Sequence, residues 1–587
     1  TEGNAFFLVE VVRALAEEAG QLDNIGKVTL PQKVFAGGVR SIVERRLQQV
    51  TDEARSLLRM AAVMGHRLDL EVLATLAQDV NLDDWLTQCA NAAVVDVQDE
   101  KWHFAHSKLR EALLEDIAEV ERKPLYRRIA EAIEATRPDA PEYVTTLAHL
   151  WNVVGDEQKE LRYVQMAGLA AVQANANGEA TPYLTRAIEL IQRLMPESSE
   201  RTQQELGVQI PLSVALMQTL GFTPPEVEES WLRSRALCDE LGKPPQLVGV
   251  LFGLCGVYTM SGRHHLGLQM DQEIIQLAPI TPYPNVTRMQ AFFTSTMGYI
   301  ALGKFKDAVE TATQGLKHYD PAETPYALSV YGMNPGIAAK TWLSLLLQVT
   351  GYPDQALQRF EQAVAEARAL GHPFTLATSL SFSWIHQLRR DPQMSLAVFG
   401  EGNRLAQEYG FGFYQLIGMP VLGWSMAQQG NPLEGIAMIE QSLEMMRSIG
   451  VVYQRNYFRG LLADCYMSSG QFEEALKVLK EALDPTQQVS GRFFEPEIHR
   501  MWGELVLNQD GDVGEAEQHF LMAMDSAREY EARLFELRAT VSLARLWQSQ
   551  GKAAEARARL DSIYGWFREG FDTVDLQDAK ALLDELG

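Results

Sequence analysis

Small and large apolar residues recur along the C-terminal three quarters of the chain at fixed steps. In Ala463, Tyr466, Gly470, Ala475, Leu479 and Ala482 the steps are 3, 4, 5, 4 and 3. The first two residues share a helix face, the glycine ends that helix, and the last three lie at i, i+4 and i+7 of a second helix. Small residues at these places let two antiparallel helices approach, and the large ones fill the seam between them. The same steps return in Thr296, Tyr299, Gly303, Ala308, Ala312 and Gly315, and in Ser344, Leu347, Gly351, Ala356, Phe360 and Ala363. They return again in Gly423, Met426, Gly430, Gly435, Ile439 and Ser442, and in Ala544, Trp547, Gly551, Ala556 and Leu560. Weaker copies centre on Gly267, Ala397 and Ala516.

The small residue that opens the second helix therefore falls at 267, 308, 356, 397, 435, 475, 516 and 556, at intervals of 41, 48, 41, 38, 40, 41 and 40. This is the tetratricopeptide (TPR) pattern stretched from its usual period of about 34 residues to about 40. The longest interval holds an insertion around His318–Pro335, where Pro321, Pro325 and Pro335 predict a loop. Two degenerate helical pairs are expected upstream, near Gly221–Trp231 and across Pro141–Leu194. Stacked pairs of this kind predict a right-handed superhelix in which each repeat touches mainly its neighbours and an extended concave groove is left for a peptide or protein.

Residues 1–137 do not follow the repeat. Asn4 is positioned to cap a helix running to about Glu18. Short helices are predicted over Val39–Gln49, Asp52–Met64 behind a Thr51 cap, Leu70–Gln78 and Leu82–Ala92. Val94–Val97 and Trp102–Phe104, joined by Gln98-Asp99-Glu100-Lys101, read as a two-stranded wing, and a helix follows from Ser107 to Ile117. The fold class expected is mainly α: an N-terminal winged-helix-like domain over 31–137, preceded by residues 1–30, then a TPR-type α-solenoid superhelix of about ten helical pairs over 138–587.

The runs GNAFFLVEVVRAL (3–15), LPQKVFAGGVRSIVERRL (30–47), ARSLLRMAAVMGHRLDLEVL (54–73), FAHSKLREALLEDI (104–117) and LYRRIAEAIEA (125–135) together resemble the end of the nucleotide-binding module and the winged helix of STAND-class signalling ATPases. The stretches at 371–390 and 544–587 are similar to bacterial predicted ATPases with TPR arms, in which the ATPase often follows an adenylate/guanylate cyclase domain. The resemblance implies that 1–30 is the end of a nucleotide-binding module and that an NTPase domain lies upstream. It implies a cytoplasmic signalling protein that holds ADP or ATP when full-length and oligomerises when its ligand switches it on. It also marks two nucleotide-sensing candidates. One is the Gly3-Asn4-Ala5 run, with Asn4 and Ala5, although the family commonly has proline where this chain has Ala5. The other is His106, at a helix start where an anion is favoured and an imidazole donates.

This chain carries no G-x-x-x-x-G-K-[ST] loop, so no ATP hydrolysis is expected of it, nor any cofactor or catalytic residue of its own. Four cysteines, Cys89, Cys238, Cys255 and Cys465, form no C-x-x-C, and no H-E-x-x-H occurs, so no metal site is expected. No run of about 18 apolar residues is long enough to span a bilayer. The start at Thr1-Glu2-Gly3-Asn4 is expected to be a cut inside a longer protein. With 52 Lys and Arg against 77 Asp and Glu, the net charge is −25, which disfavours nucleic acid as a general partner. The competing reading is a DNA-binding transcription activator that uses the winged helix. Arg40, Arg45, Arg46, Arg55 and Arg59 cluster there, yet residues 31–137 hold 15 basic and 18 acidic residues. Trp384, Trp424 and Tyr299 sit at apolar helix positions and are the candidate anchors for a partner in the groove.

Overall fold

The computed structural model describes residues 38–138, 140–174, 176–382, 384–484, 491–509 and 511–587. The helix expected from Asn4, with Ala5, lies outside the described residues. The chain divides into two compact units between Leu212 and Ser213.

In the first unit, α1 (Gly38–Gln48), α2 (Asp52–Met64), α3 (Leu70–Leu76) and α4 (Leu82–Asn91) precede a hairpin of β1 (Val95–Gln98) and β2 (Lys101–Phe104), and α5 (Ser107–Glu115) follows. Short polar side chains set the helix starts, at Thr51 as expected and at Asp69 and Asn81 besides. Thr51 accepts the amide of Ala54 at the head of α2. Asp69 accepts the amides of Glu71 and Val72 at α3, and Asn81 those of Asp83 and Asp84 at α4. The hairpin pairs Val95 with Phe104 and Gln98 with Lys101. Its turn puts Asp99 (φ 50°) and Glu100 (φ 62°) in the left-handed region that matches strand twist. The sequence pattern missed a third extended segment beside β2. Leu68 donates to the Trp102 carbonyl and Phe104 to that of His66, with a bridge between Arg67 and His103.

The described residues of the second unit hold a helix, Pro225–Glu240, and then eight helical pairs, numbered here as repeats. Repeat 1 is Leu247–Met260 and His264–Leu277, repeat 2 Pro284–Ala301 and Phe305–Leu316, and repeat 3 Pro335–Thr350 and Pro353–Leu370. Repeat 4 has a first helix broken into Pro373–Ser381 and Ile385–Leu388, then Pro392–Glu408. Repeats 5 to 8 are Gly412–Gln428 with Pro432–Ser448, Arg455–Ser468 with Phe472–Leu483, Glu495–Asn508 with Val513–Glu529, and Arg533–Ser549 with Ala553–Tyr564. A last helix, Val574–Glu585, follows.

The i, i+4, i+7 seam is buried in every repeat, but repeat 4 is shifted from its expected place. Ala397 is exposed, and the seam is Ser395, Phe399 and Gly402. The turn between the paired helices explains the shift. Six repeats place a glycine of positive φ five residues before the seam: Gly262, Gly303, Gly351, Gly430, Gly470 and Gly551. Repeat 4 has Arg390 there (φ 58°), so its glycine landmark is missing. The insertion at 318–335 also differs from expectation. It carries a short helix, Thr324–Tyr331, because Pro325 falls in the first turn, where no amide is needed.

Repeat 5 shows how close the paired helices come. A Cβ on Gly423 would lie 2.5 Å from the Gly435 carbonyl oxygen, and a Cβ on Gly435 would overlap the carbonyl of Gly423. Both neighbours are backbone and have no rotamer to yield. Gly435→Ala is therefore expected to destabilise this unit by about 1–3 kcal/mol, the usual range for overpacking. A fall in the urea midpoint relative to a control such as Gly249→Ala would check it. Gly249 is likewise a helical glycine, with nothing near its missing Cβ, so the comparison removes the helix-propensity component.

Each repeat touches mainly its neighbours, as expected, but further contacts reach across the array. Val452 donates to the Met260 carbonyl at 2.9 Å, and Arg492 to that of Ala301 at 2.7 Å. Further along, Gly570 donates to Asp354 at 3.0 Å, and Glu569 accepts the amides of Asp354 and Gln355 at 3.1 Å each. Repeats 1, 2 and 3 thus meet, in turn, the link after repeat 5, the link after repeat 6 and the segment after repeat 8. The superhelix winds tightly enough for its successive turns to touch. Its axis is packed with rings: Trp342, Phe382, Trp384, Tyr457, Phe458, Phe493, Phe494 and Phe535 belong to one continuous core.

Candidate functional site

Because rings fill part of the axis, the open concave groove is reduced to a cavity of about 1100 Å³. Its wall comes from the first helices of repeats 5 to 8, the end of the first helix of repeat 4, and the C-terminal helix. Apolar side chains such as Leu461, Phe494 and Met501 share this wall with nine charged ones.

Most of those charges form one network. Arg538 makes a two-pronged pair with Asp575, Nε to Oδ1 at 3.0 Å and Nη2 to Oδ2 at 2.9 Å. It also donates to Glu497 at 3.2 Å and to the Leu388 carbonyl. Arg500 donates to Glu497 at 3.0 and 3.2 Å and to Glu504 at 2.5 Å. Arg390 reaches Asp578 at 2.9 Å and lies 3.6 Å from Asp575. Burial alone raises the Glu497 carboxyl pKa, but the guanidinium groups of Arg500 and Arg538 outweigh it and hold the group below its ordinary value. The residue that breaks the glycine rule, Arg390, thus holds repeat 4 against the C-terminal helix at the cavity rim. Left-handed backbone is costly for arginine, and it is retained where the side chain makes this bridge.

Asp464 stands apart from the network. Its Oδ2 accepts the indole N–H of Trp424 at 2.7 Å and the amide of Gln428 at 3.2 Å. Burial raises its pKa, against the pull of the Trp424 hydrogen bond and of Arg500.

The three anchor candidates are not brought together. Trp424 borders the cavity but is 4% exposed within the same core, with its indole N–H spent on Asp464. Trp384 is 0% exposed, packed on Tyr457 at 4.6 Å and edge-on to Trp342 at 5.5 Å, so it is core and not a free anchor. Its apolar helix position could not tell the axis of a closed turn from the wall of an open groove. Tyr299 is half-buried against the core and does not line the cavity. In the first unit, His106 caps α5 by accepting the amide of Lys108 on Nδ1 at 3.1 Å. Burial lowers its pKa, with Arg46 acting in the same direction. The neighbouring arginines are largely used internally. Arg46 donates to the Ala93 carbonyl, Arg55 to those of Leu47 and Val50, and Arg59 pairs with Asp116. Among the described residues no group of three or more His, Cys, Asp or Glu is placed to hold a metal ion, and no helix is long and apolar enough to cross a membrane.

A tetratricopeptide-repeat family model matches residues 459–492, which contain the paired helices of repeat 6 from Arg459 onward. The chain carries TPR-type helical repeats. An uncharacterized protein of Rhizobium meliloti (strain 1021) is 22% identical over 480 residues, covering 78% of this chain and 45% of its own length. The chain therefore spans less than half of that relative. Among solved structures, a STAND protein with a tetratricopeptide-repeat sensor from Pyrococcus horikoshii is 13% identical, with 90% of this chain and 74% of that one covered and a TM-score of 0.29. A Rap protein complexed with competence and sporulation factor is 11% identical over 73% of this chain and 99% of that one, TM-score 0.36. The human IFIT1 dimer with PPP-AAAA is 13% identical over 72% and 94%, TM-score 0.38.

Proposed function

We propose that this chain is the sensing and regulatory arm of a STAND-type signalling ATPase. A protein or peptide signal enters the cavity of the repeat array, and the winged-helix-like module carries the response to an upstream nucleotide-binding domain, in some architectures linked to a cyclase. The observation that carries the sensing half is the cavity itself. Its wall joins repeats 4, 7 and 8 to the C-terminal helix through ionic contacts. A ligand that competes for those contacts has a direct route to changing how tightly the array is wound. The order of segments in the first unit, helices then hairpin then the His106-capped helix, supports the regulatory half. Internal use of Arg46, Arg55 and Arg59 weighs against the DNA-binding alternative.

The test of the regulatory half uses the native full-length protein. Bound nucleotide is released by acid and quantified for wild type and His106→Ala. Retained ADP in wild type and a lower content in the variant are expected. Equal content would remove His106 from sensing, and the absence of nucleotide from both would remove the ATPase reading.

A further inference from the structure

The charges on the cavity wall almost balance one another. Four arginines line it (Arg390, Arg500, Arg538, Arg545) and five carboxylates (Asp464, Glu497, Glu504, Asp575, Asp578). Glu497, Glu504, Asp575 and Asp578 each meet an arginine, and Arg390, Arg500 and Arg538 each meet a carboxylate. One residue of each sign is left over. Among the described residues, Asp464 bonds only to the neutral donors of Trp424 and Gln428, both on Oδ2. Arg545 is exposed to the cavity and has no hydrogen-bond or ion-pair partner among the described residues.

We propose that the cavity binds an extended peptide segment carrying one basic and one acidic side chain, the basic one at Asp464 and the acidic one at Arg545. This rests on the reading of the cavity as the ligand site. Asp464 keeps its Oδ1 free of hydrogen bonds among the described residues, and a carboxylate oxygen with no cation on it suits the head of a lysine or arginine. Arg545 offers an uncommitted fork for a carboxylate.

The placement of the two groups selects a peptide over a small zwitterion. Asp464 is on the first helix of repeat 6 and Arg545 on that of repeat 8, with the first helix of repeat 7 between them. Packed helices lie about 8–10 Å apart, so two steps put the supporting helices about 16–20 Å apart. The ammonium and carboxylate of one free amino acid do not bridge such a distance. Two side chains on an extended strand, which rises about 3.3 Å per residue, do so when separated by roughly three to six residues. The volume, about 1100 Å³, also exceeds the roughly 300–1,000 Å³ of ordinary small-molecule pockets.

The test is to pan a phage-displayed library of random dodecapeptides on the purified chain, with Asp464→Asn and Arg545→Gln panned in parallel. Neither residue holds an ion pair among the described residues, so both variants are expected to remain folded, which their thermal unfolding curves check. Peptides enriched on the wild type should pair Lys or Arg with Asp or Glu at that separation. Asp464→Asn should lose the selection for the basic residue and Arg545→Gln that for the acidic one. A synthetic enriched peptide should bind each variant about tenfold or more weakly. Enriched peptides without the charge pair, or a pair unchanged on both variants, would overturn the inference and leave the cavity as a ligand site. If no peptide is enriched at all, the peptide-sensing reading of the cavity fails with it.

Discussion

Replacing Arg538 with alanine is expected to cost the repeat array about 3–5 kcal/mol, the range found when one partner of a buried ionic group is removed. The side chain is 9% exposed and joins three structures distant in sequence. Its partners are Asp575 on the C-terminal helix, Glu497 on repeat 7 and the Leu388 carbonyl at the end of repeat 4's first helix. Asp575 and Glu497 are themselves 4% and 3% exposed, so loss of the guanidinium leaves two carboxylates with little water. Glu497 retains Arg500, whereas Asp575 keeps only the longer contact to half-exposed Arg390. The C-terminal helix should therefore loosen first. Limited proteolysis of the variant should release a fragment starting between Gly565 and Thr573 under conditions where wild type stays intact, and the urea midpoint should fall. Arg538→Met is expected to be no milder, because the orphaned carboxylates remain. Changing Asp575 to Asn in the Arg538→Met background should recover part of the loss. If Arg538→Ala unfolds at the wild-type midpoint, the network does not hold the turn closed.

The contrast between the repeats and their closure shows what a linear pattern carries. Seams at Ala475, Leu479 and Ala482 are read from spacing because the helix repeat is local, and each glycine turn marks the register. Where Arg390 replaces that glycine, the register slips by two residues, from Ser395 to Ala397. In the first unit the Thr51 cap and the hairpin signal are equally local, and the helix and the hairpin start where they predict. The contact of Met260 with Val452 leaves no such trace, since it joins residues 192 positions apart through two backbone groups. Hydrophobic position therefore placed Trp384 and Trp424 alike; both belong to the core, and of the two Trp424 alone also borders the cavity. The ionic network was hidden for the same reason. Arg390, Glu497, Arg538 and Asp575 lie on four different helices or turns, and only the tight superhelical winding assembles them.

One departure in the seam was legible and has a measurable consequence. The second seam position holds Ala312, Phe360, Phe399, Ile439, Leu479, Phe520 and Leu560 in repeats 2 to 8, but Asp271 in repeat 1. This carboxyl is 1% exposed. It accepts from Thr294 at 2.6 Å, Ser295 at 2.9 Å and the Cys255 thiol at 3.4 Å, with no cation among these partners. Burial pushes its pKa up to about 7 from an ordinary 3.8, against the opposing effect of the three hydrogen bonds. The folded state then holds a proton that the unfolded chain has released, and stability falls as pH rises between those two values. Below about pH 4 the group is protonated in both states and its contribution is complete. Above about pH 7 it is ionised in both, and the loss levels off. A shift of this size corresponds to on the order of 4 kcal/mol across the window. Burial pushes the Cys255 thiol well above its usual range, so it does not titrate there. Thermal unfolding of wild type should therefore move to lower temperature by several degrees between pH 5 and pH 8. Asp271→Asn, neutral throughout, should remove that component: the hydroxyl of Thr294 or Ser295 that faces the new NH2 rotates to accept from it, and the other still donates to the amide oxygen. The variant should be the more stable protein at pH 8, while the difference narrows or reverses at pH 5. Subtracting the variant's pH dependence from that of wild type isolates Asp271 from other raised carboxyls such as Asp464. Parallel curves for the two proteins across this range would show that Asp271 is ionised in the fold.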